Sequence, residues 1–310
     1  MKIREIVVGS RGSDLAIIQS KIVITELQKF YPEIKFKIKT IKTKGDKILD
    51  VPLNKIGDKG LFINEIETAL INGEIDFAVH SMKDMPSDLP SELEISCITK
   101  REDARDTIIT KDGSTLSTLR KGAVIGTSSL RRTAQLQTMR EDIKIVPIRG
   151  NVQTRINKIE EMNIDGVILA AAGLIRLGLQ NQISEYFDEI NFVPSVAQGA
   201  LGIENRKNDL FIKEILSKIN DEDSERIVKA ERSFMKRLDG GCHVPMGAYA
   251  WIEEDTMKLV GVVSTVDGKS VVKITKEANI NDYENLGKRA AEEILDMAGQ
   301  DILNTLKGDR

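Results

Sequence analysis

The chain has 310 residues, of which 41% are hydrophobic and 30% are charged, proportions typical of a globular protein rather than a disordered or fibrous one. Its 45 basic and 48 acidic residues give a net charge of −3, and aromatic residues make up 4%, so the composition does not indicate nucleic-acid binding. Two cysteines exclude a disulfide framework, and apolar runs such as 166–175 are too short to span a membrane.

The amino-terminal residues Met1-Lys2-Ile3-Arg4-Glu5 carry charges where a secretory signal peptide requires an apolar core. We therefore expect a cytoplasmic protein with reduced cysteines, and no nucleic-acid or membrane partner. The length predicts two or three domains, each with enough apolar residues to form its own core.

The first 200 residues alternate short apolar strands with amphipathic helices. The predicted strands are 6–8, 36–41, 75–79, 107–109, 123–125, 145–148 and 167–170. The predicted helices begin near Ser13, Leu61, Ser128 and Asn151. This alternation predicts parallel sheets covered by helices, in which a ligand binds beyond the carboxyl ends of the strands.

The alternation restarts near Lys100, which predicts two similar α/β domains, and residues 201–203 are expected to return to the first as a strand. The pattern then changes to a helix at 227–238, strands at 249–252, 257–263 and 270–274, and a helix at 283–297. This predicts a small α+β domain with a three-stranded antiparallel sheet. The predicted domains are 1–99 with 200–219 (domain 1), 100–199 (domain 2) and 220–310 (domain 3).

Cys242 lies in the run Gly240-Gly241-Cys242-His243, which is followed by Val244-Pro245. Glycine and proline interrupt regular structure, so this thiol is expected on a loop that a bulky group can approach. The sulfur would then serve as a catalytic nucleophile or as the covalent anchor of a cofactor. An unreactive surface cysteine is the alternative. The other cysteine, Cys97, lies in an apolar run.

Basic residues are concentrated between positions 120 and 160, where nine stand against three acidic ones, a local balance of +6. Several arginines follow predicted strands, at the edge where an α/β sheet binds ligands. Residues 127–129 supply hydroxyls and free backbone N–H groups at the N-terminus of a predicted helix, which is a favourable anion site. We expect a ligand with several negative charges, bound in part by bidentate arginine contacts. A solvated surface is the alternative for any one of these arginines.

Asp84 belongs to the run 79–86 (VHSMKDMP), which directly follows a predicted strand. A carboxylate there can act as a general acid or base, or stabilise a developing positive charge, whereas the alternative is an ordinary turn. Lys83 adds an anion contact, and His80 is expected to be buried and hydrogen-bonded rather than catalytic. The lysine- and glycine-containing segment 44–60 is either a mobile lid or a surface loop.

Neither a P-loop nor a dinucleotide-binding glycine fingerprint is present, and no cysteine–histidine spacing indicates a metal. Four runs nevertheless resemble, in the same order, the porphobilinogen deaminase (hydroxymethylbilane synthase) family. They are 79–86 (VHSMKDMP), 126–132 (GTSSLRR), 149–152 (RGNV) and 240–242 (GGC) with 244–245 (VP), supported by 9–13 (GSRGS) and 197–200 (AQGA). The resemblance extends from about residue 4 to the end of the chain.

The resemblance implies an enzyme that joins four porphobilinogen molecules head to tail, with loss of ammonia, and releases hydroxymethylbilane. It implies a dipyrromethane cofactor held by a thioether to Cys242, with Asp84 as the catalytic aspartate. It implies two α/β domains resembling periplasmic binding proteins and a C-terminal α+β domain that carries the cysteine. Asp14 and His243 are mild departures that leave the implied activity intact.

The other site residues implied by the resemblance divide into two groups, with no metal ligand among them. The expected cofactor contacts are Ser81, Lys83, Thr127, Ser128, Ser129, Arg131, Arg132, Gly150 and Gly199. The expected substrate contacts are Arg11, Ser13, Lys55, Lys59, Phe62, Arg149, Arg155, Arg176 and Gln198. We expect a monomer whose small-molecule partner is porphobilinogen.

Two other functions are compatible with parts of the pattern. Two α/β lobes with an anion-binding cleft are also typical of a binding module, here a cytoplasmic one for an anionic small molecule. A thiol enzyme that uses Cys242 with a histidine is the third hypothesis.

Overall fold

A computed structural model describes residues 5–43, 45, 63–238 and 244–307. The strands are Ile6–Arg11 (β1), Phe36–Ile41 (β2), Phe77–Ser81 (β3), Leu93–Ile98 (β4), Asp106–Thr110 (β5), Val124–Gly126 (β6), Lys144–Val146 (β7), Gly166–Ala170 (β8), Glu185–Tyr186 (β9), Leu201–Arg206 (β10), Met246–Glu253 (β11), Thr256–Ser264 (β12) and Val271–Asn279 (β13).

The helices are Asp14–Phe30 (α1), Asn64–Ile71 (α2), Leu130–Met139 (α3), Val152–Glu161 (α4), Ala171–Arg176 (α5), Leu210–Ser217 (α6), Glu222–Arg237 (α7), Tyr283–Met297 (α8) and Gln300–Lys307 (α9). Short 3₁₀ turns cover Met82–Asp84, Gln180–Gln182 and Ile280–Asp282. None of the helices in the described ranges is long and apolar enough to cross a membrane.

The chain divides into two compact units, which we describe separately. The first unit comprises Met1–Glu102 with Ala200–Glu225, and the second comprises Asp103–Gly199 with Arg226–Arg310. The three-domain division expected from the sequence stays a prediction.

The first unit contains a five-stranded sheet with the order β2-β1-β3-β10-β4. Strands β1, β2 and β3 are parallel, whereas β10 runs antiparallel to both β3 and β4. Apolar side chains of β1, β3 and β10 pack with those of α1 and α6 to form the core, with Phe77 and Leu27 fully buried. Phe77 and Val79 of β3 point into this core. Because side chains alternate along a strand, this packing also fixes which face of the sheet each of the last residues of β3 points to.

Phe77→Ala is expected to lower the free energy of unfolding by about 3–5 kcal/mol, because the fully buried ring leaves a cavity when removed. Chemical denaturation followed by circular dichroism measures the change. Phe30→Ala, which removes a ring that is 53% exposed at the end of α1, serves as the control and should change the value by about 0.5 kcal/mol or less. Equal effects of the two substitutions would contradict this account of the core.

The second unit contains a five-stranded sheet with the order β7-β6-β8-β5-β9, the same arrangement of parallel and antiparallel pairs as in the first unit. Adjacent residues of β5 point to opposite faces, so Ile108 joins a core with Leu136 of α3, and Ile109 joins another with Ile159 of α4. Both faces of the sheet are thus covered by helices.

The same unit contains the antiparallel sheet β11-β12-β13. Helix α8 packs on β12 and β13. Gly261 lies directly under the ring of Phe234, where a Cβ would collide with it, so α7 also approaches this sheet closely. The fold class of two α/β domains followed by a three-stranded antiparallel α+β domain is therefore confirmed.

The expectation of parallel sheets is confirmed only in part, because each five-stranded sheet combines two parallel pairs of strands with two antiparallel pairs. Strand β10 enters the first unit's sheet after the chain has passed through the second unit. No βαβ crossover within the sheet therefore fixes its direction, and it runs antiparallel to β3 and β4.

Candidate active site

The carboxyl edge of the first unit's sheet collects the predicted residues of its parallel strands. Strands β1 and β3 are paired in parallel, so Arg11 and Ser81 end at the same edge. Ser13 caps α1, since its hydroxyl accepts a hydrogen bond from the backbone N–H of Ala16 at 3.3 Å. The amide of Gln19, one turn further on, donates to Ser81 Oγ at 2.9 Å. Helix α1 thereby holds the end of β3.

Asp84 closes a 3₁₀ turn that follows β3 directly. The turn is anchored by Met82, which is buried and whose backbone N–H donates to the carbonyl of Ala200 at 3.0 Å. The Met82 side chain fills the space above Gly202, where a Cβ would overlap its sulfur. Two residues beyond this anchor, the Asp84 side chain is exposed, and Lys83 is half-buried. A fixed backbone therefore presents an accessible carboxylate.

His80 has the structural role expected from the sequence. Its Nε2 hydrogen-bonds to Glu204 Oε2 at 2.9 Å, and both side chains are buried. The contact joins β3 to the antiparallel β10 immediately before Ser81. It therefore supports the strand end from which the Asp84 turn begins.

In the second unit, β6, β7 and β8 are parallel, so the segments that follow them meet at one edge of the sheet. The first of these segments is 127–129. Ser128 Oγ donates to the carbonyl of Ile148 at 2.7 Å, which joins it to the second segment. Ser129 caps α3, and its N–H donates to the buried hydroxyl of Thr127 at 3.2 Å. Three predicted hydroxyls thus surround the N-terminus of α3.

Arg131 and Arg132, in the first turn of α3, are buried against Asp106 at the start of β5. Arg131 Nη1 donates to Asp106 Oδ2 at 2.7 Å, and Arg132 donates to Oδ1 from Nε at 3.0 Å and from Nη2 at 2.6 Å. Arg131 Nη1 also donates to the carbonyl of Val193, and Arg132 Nη1 donates to that of Ile168. Burial by itself raises the pKa of Asp106, but the two guanidinium groups outweigh it and hold that pKa well below its usual range.

The second segment carries Arg149, Gly150 and Arg155. Asn151 caps α4 by accepting a hydrogen bond from the backbone N–H of Thr154 at 2.8 Å. Gly150 has φ +116°, and a Cβ there would collide with the Thr154 side chain, so the turn requires glycine. Arg155 Nε donates to the carbonyl of Gly150 at 2.8 Å. Arg149, the residue before Gly150, is half-buried.

The third segment, which follows β8, is helix α5, and it contacts the turn that precedes β10 through Arg176. Arg176, the last residue of α5, donates from Nη2 to the carbonyl of Gly199 at 2.6 Å. The buried amide of Gln198 donates to Asp106 Oδ1 at 3.0 Å and to the carbonyl of Ala104 at 2.8 Å. The structure therefore brings Arg131, Arg132 and Gln198 together around one carboxylate.

Asp106 was missed in the sequence analysis. A parallel β5 would have placed its first residue at the opposite edge, whereas the antiparallel pairing sets Asp106 opposite Ala170, where β8 ends. The available signal was an acidic residue that opens a buried apolar strand, since such a carboxylate requires a partner.

Four predicted site residues lie outside the described residues: Cys242, Lys55, Lys59 and Phe62. The lid hypothesis for 44–60 falls almost entirely outside them as well. Within the described ranges, no group of three or more histidine, cysteine, aspartate or glutamate side chains is placed to hold a metal ion.

Comparison with known proteins gives a consistent result over the whole chain. Residues 6–214 match the family model for the porphobilinogen deaminase, dipyromethane cofactor binding domain, and residues 226–296 match the model for the porphobilinogen deaminase C-terminal domain. The porphobilinogen deaminase of Alkaliphilus metalliredigens is 50% identical and that of Carboxydothermus hydrogenoformans 49% identical, each over 99% of this chain and 97% and 98% of the relative, respectively. The solved structure of a YaeC-family lipoprotein from Enterococcus faecalis is also similar, with 16% identity and a TM-score of 0.42. The match covers 74% of this chain and 96% of the lipoprotein.

Proposed function

This chain belongs to the porphobilinogen deaminase family, and from that premise we propose how its residues divide the family's reaction between them. The enzyme is a transferase that makes hydroxymethylbilane from porphobilinogen, and its cofactor is dipyrromethane. The family matches extend through the C-terminal domain, so a two-lobed binding module is not favoured. We further propose that the enzyme is a cytoplasmic monomer.

The observation that carries the assignment of roles is the buried group formed by Arg131, Arg132 and Asp106. Two guanidinium groups, 5% and 6% exposed, share one carboxylate, which leaves one positive charge in excess. Within the described part of the chain, Arg131 Nε is buried and has no hydrogen-bond acceptor. Buried cations are costly unless paired, so this arrangement fits an anionic ligand group.

Dipyrromethane fits this donor set, because each of its pyrrole rings carries an acetate and a propionate. We propose that its carboxylates are bound by Arg131 and Arg132, with hydrogen bonds from Thr127, Ser128 and Ser129, and that Gly150 and Gly199 allow close approach. In the first unit, Ser81 and Lys83 would contact the same group. When bound, dipyrromethane supplies the primer to which porphobilinogen units are joined, and we propose Cys242 as its thioether anchor.

The substrate carries the same two carboxylates, and we propose that Arg11, Ser13, Arg149, Arg155, Arg176 and Gln198 bind it and the growing chain. Lys55, Lys59 and Phe62 are proposed as further substrate contacts. Arginine is suited to this task, because its planar group binds a carboxylate through two parallel hydrogen bonds. Each added unit increases the negative charge, so several arginines are needed rather than one.

Asp84 is proposed as the catalytic residue, on the basis of its accessible carboxylate on an anchored turn. It would assist the departure of ammonia by holding a proton near the leaving nitrogen. It would also stabilise the positive charge that develops on the substrate when that bond breaks.

Arg149→Leu tests the arginine assignment. A hydrogen bond to a charged group contributes about 1.5–3 kcal/mol, so kcat/KM for porphobilinogen should fall about 10- to 100-fold. Arg120→Leu is the matched control, because Arg120 belongs to the same unit, is 62% exposed on its side chain and pairs with Asp165. Steady-state assays of both variants, with cofactor content determined by intact mass, decide the matter. Arg149 has no part in ligand binding if both variants load and turn over like the wild type.

A further inference from the structure

None of the roles proposed above involves Asp106, although this residue accepts four hydrogen bonds within the described part of the chain. Its two carboxylate oxygens receive donors from Arg131, Arg132 and Gln198, and its side chain is fully buried. Two separate parts of the second unit therefore converge on the start of β5, where Asp106 lies: the first turn of α3 and the segment before β10. Both guanidinium groups donate to this one carboxylate, and each donates to one backbone carbonyl besides.

The stem of Arg131 is also constrained from the side of the C-terminal sheet. Gly247 of β11 lies so close that a Cβ there would stand 3.1 Å from Arg131 Cδ and 2.6 Å from the carbonyl oxygen of Pro194. Arg131 is thus held between the Asp106 carboxylate and β11. Neither end of the side chain can shift without moving a neighbouring element.

Arg132 is fixed in a different way. Its Nε and Nη2 both donate to the same oxygen, Asp106 Oδ1, and its Nη1 donates to the carbonyl of Ile168 in β8. Such a guanidinium loses its rotational freedom when the protein folds rather than when a ligand binds. Preorganised donors bind an anion more tightly, because the ordering cost does not fall on the binding step.

We propose that Asp106 is a positioning residue, which orients Arg131 and Arg132 for the carboxylates of dipyrromethane. This proposal rests on the proposed function of the two arginines. It assigns Asp106 no contact with the cofactor and no part in proton transfer. Its negative charge opposes the binding of an anion, so its contribution must come through the geometry of the arginines.

Positioning and charge predict opposite results for Asp106→Asn. The amide keeps the shape of the side chain but removes one negative charge, so the charge effect alone would strengthen the binding of an anion. If Asp106 orients the arginines, binding is weakened instead. The experiment uses full-length apoprotein, produced in a host that makes no porphobilinogen, and follows its conversion to the cofactor-bearing form by intact mass at a series of porphobilinogen concentrations.

For Asp106→Asn we expect the half-saturating porphobilinogen concentration for conversion to rise at least tenfold. Asp165→Asn is the control, since Asp165 lies in the same unit and accepts two hydrogen bonds from Arg120. It should convert with the wild-type concentration dependence, even where its melting temperature falls. An unchanged or lower half-saturating concentration for Asp106→Asn overturns the proposal.

Asp106→Glu covers the case in which the asparagine variant does not fold. It keeps the charge and moves the carboxylate by one methylene, so positioning predicts a raised half-saturating concentration, and a cooperative melting transition shows that the variant is folded. Wild-type dependence in this variant overturns the proposal. A wild-type apoprotein that gains no mass would instead refute the proposed function itself, and the inference with it.

Discussion

Cys242→Ser is expected to give a full-length protein that carries no dipyrromethane and forms no tetrapyrrole. A thioether needs a sulfur nucleophile, and a serine hydroxyl is far less reactive at neutral pH than a cysteine thiol. Because the primer would be missing, elongation has no starting point, and turnover should fall to the assay background. Intact mass and the colour formed with acidic p-dimethylaminobenzaldehyde measure the cofactor, and tetrapyrrole formation measures turnover.

Cys97→Ser is the matched control for this prediction. Cys97 lies on β4 in the core of the first unit, and burial raises the pKa of its thiol to about 12. It therefore stays protonated at neutral pH and is a poor nucleophile. The Cys97→Ser protein should carry the cofactor and give the colour. A cofactor adduct on Cys242→Ser, or its loss from Cys97→Ser, would refute the anchor assignment.

Local sequence patterns predicted those elements whose buried faces follow one period. Helix α8 was predicted with the bounds found in the structure, because Leu286, Ala290 and Ile294 recur at helical spacing and are all buried. The strand β2 was also predicted at its observed position. Strand β4 was missed, since a short run after two prolines becomes a strand only by pairing with β10, whose residues lie more than 100 positions further along the chain.

The direction of a strand is the part of the fold that local pattern does not contain. The residues of a buried strand such as β5 or β10 do not indicate whether it runs parallel or antiparallel to its neighbours. Tertiary pairing decides the direction, and direction decides which end of the strand reaches the ligand-binding edge. This is why Asp106 was absent from the predicted site although the arginines it binds were named.

Motifs at the ends of parallel strands placed the remaining candidate residues, but not their partners. The sequence indicated Ser81 and Arg176, whereas the hydrogen bonds of Ser81 with Gln19 and of Arg176 with Gly199 depend on how separate elements pack. Residues that lie outside the described ranges, such as Cys242, have roles that rest on the family resemblance and on the experiments proposed for them.

Asp84→Asn is expected to keep the cofactor but to lower the rate of tetrapyrrole formation by about two to four orders of magnitude, or roughly 3–5 kcal/mol of activation free energy. Asparagine has nearly the same shape, and the Asp84 side chain is exposed, so the turn anchored by Met82 should remain folded. The substitution removes the charge that stabilises a developing cation and the group that holds the proton. Single-turnover assays with holoenzyme of known cofactor content measure the rate.

Glu74→Gln separates this effect from the loss of any accessible carboxylate in the first unit. Glu74 is exposed and pairs with Lys39 at 2.7 Å on the surface, where an ion pair contributes little. Its variant should match the wild type in both cofactor content and rate. The catalytic assignment requires Asp84→Asn to lose rate at equal cofactor content, because a carboxylate needed only for assembly of the primer would reduce both together. An Asp84→Asn holoenzyme that elongates at the wild-type rate would exclude this carboxylate from the chemistry.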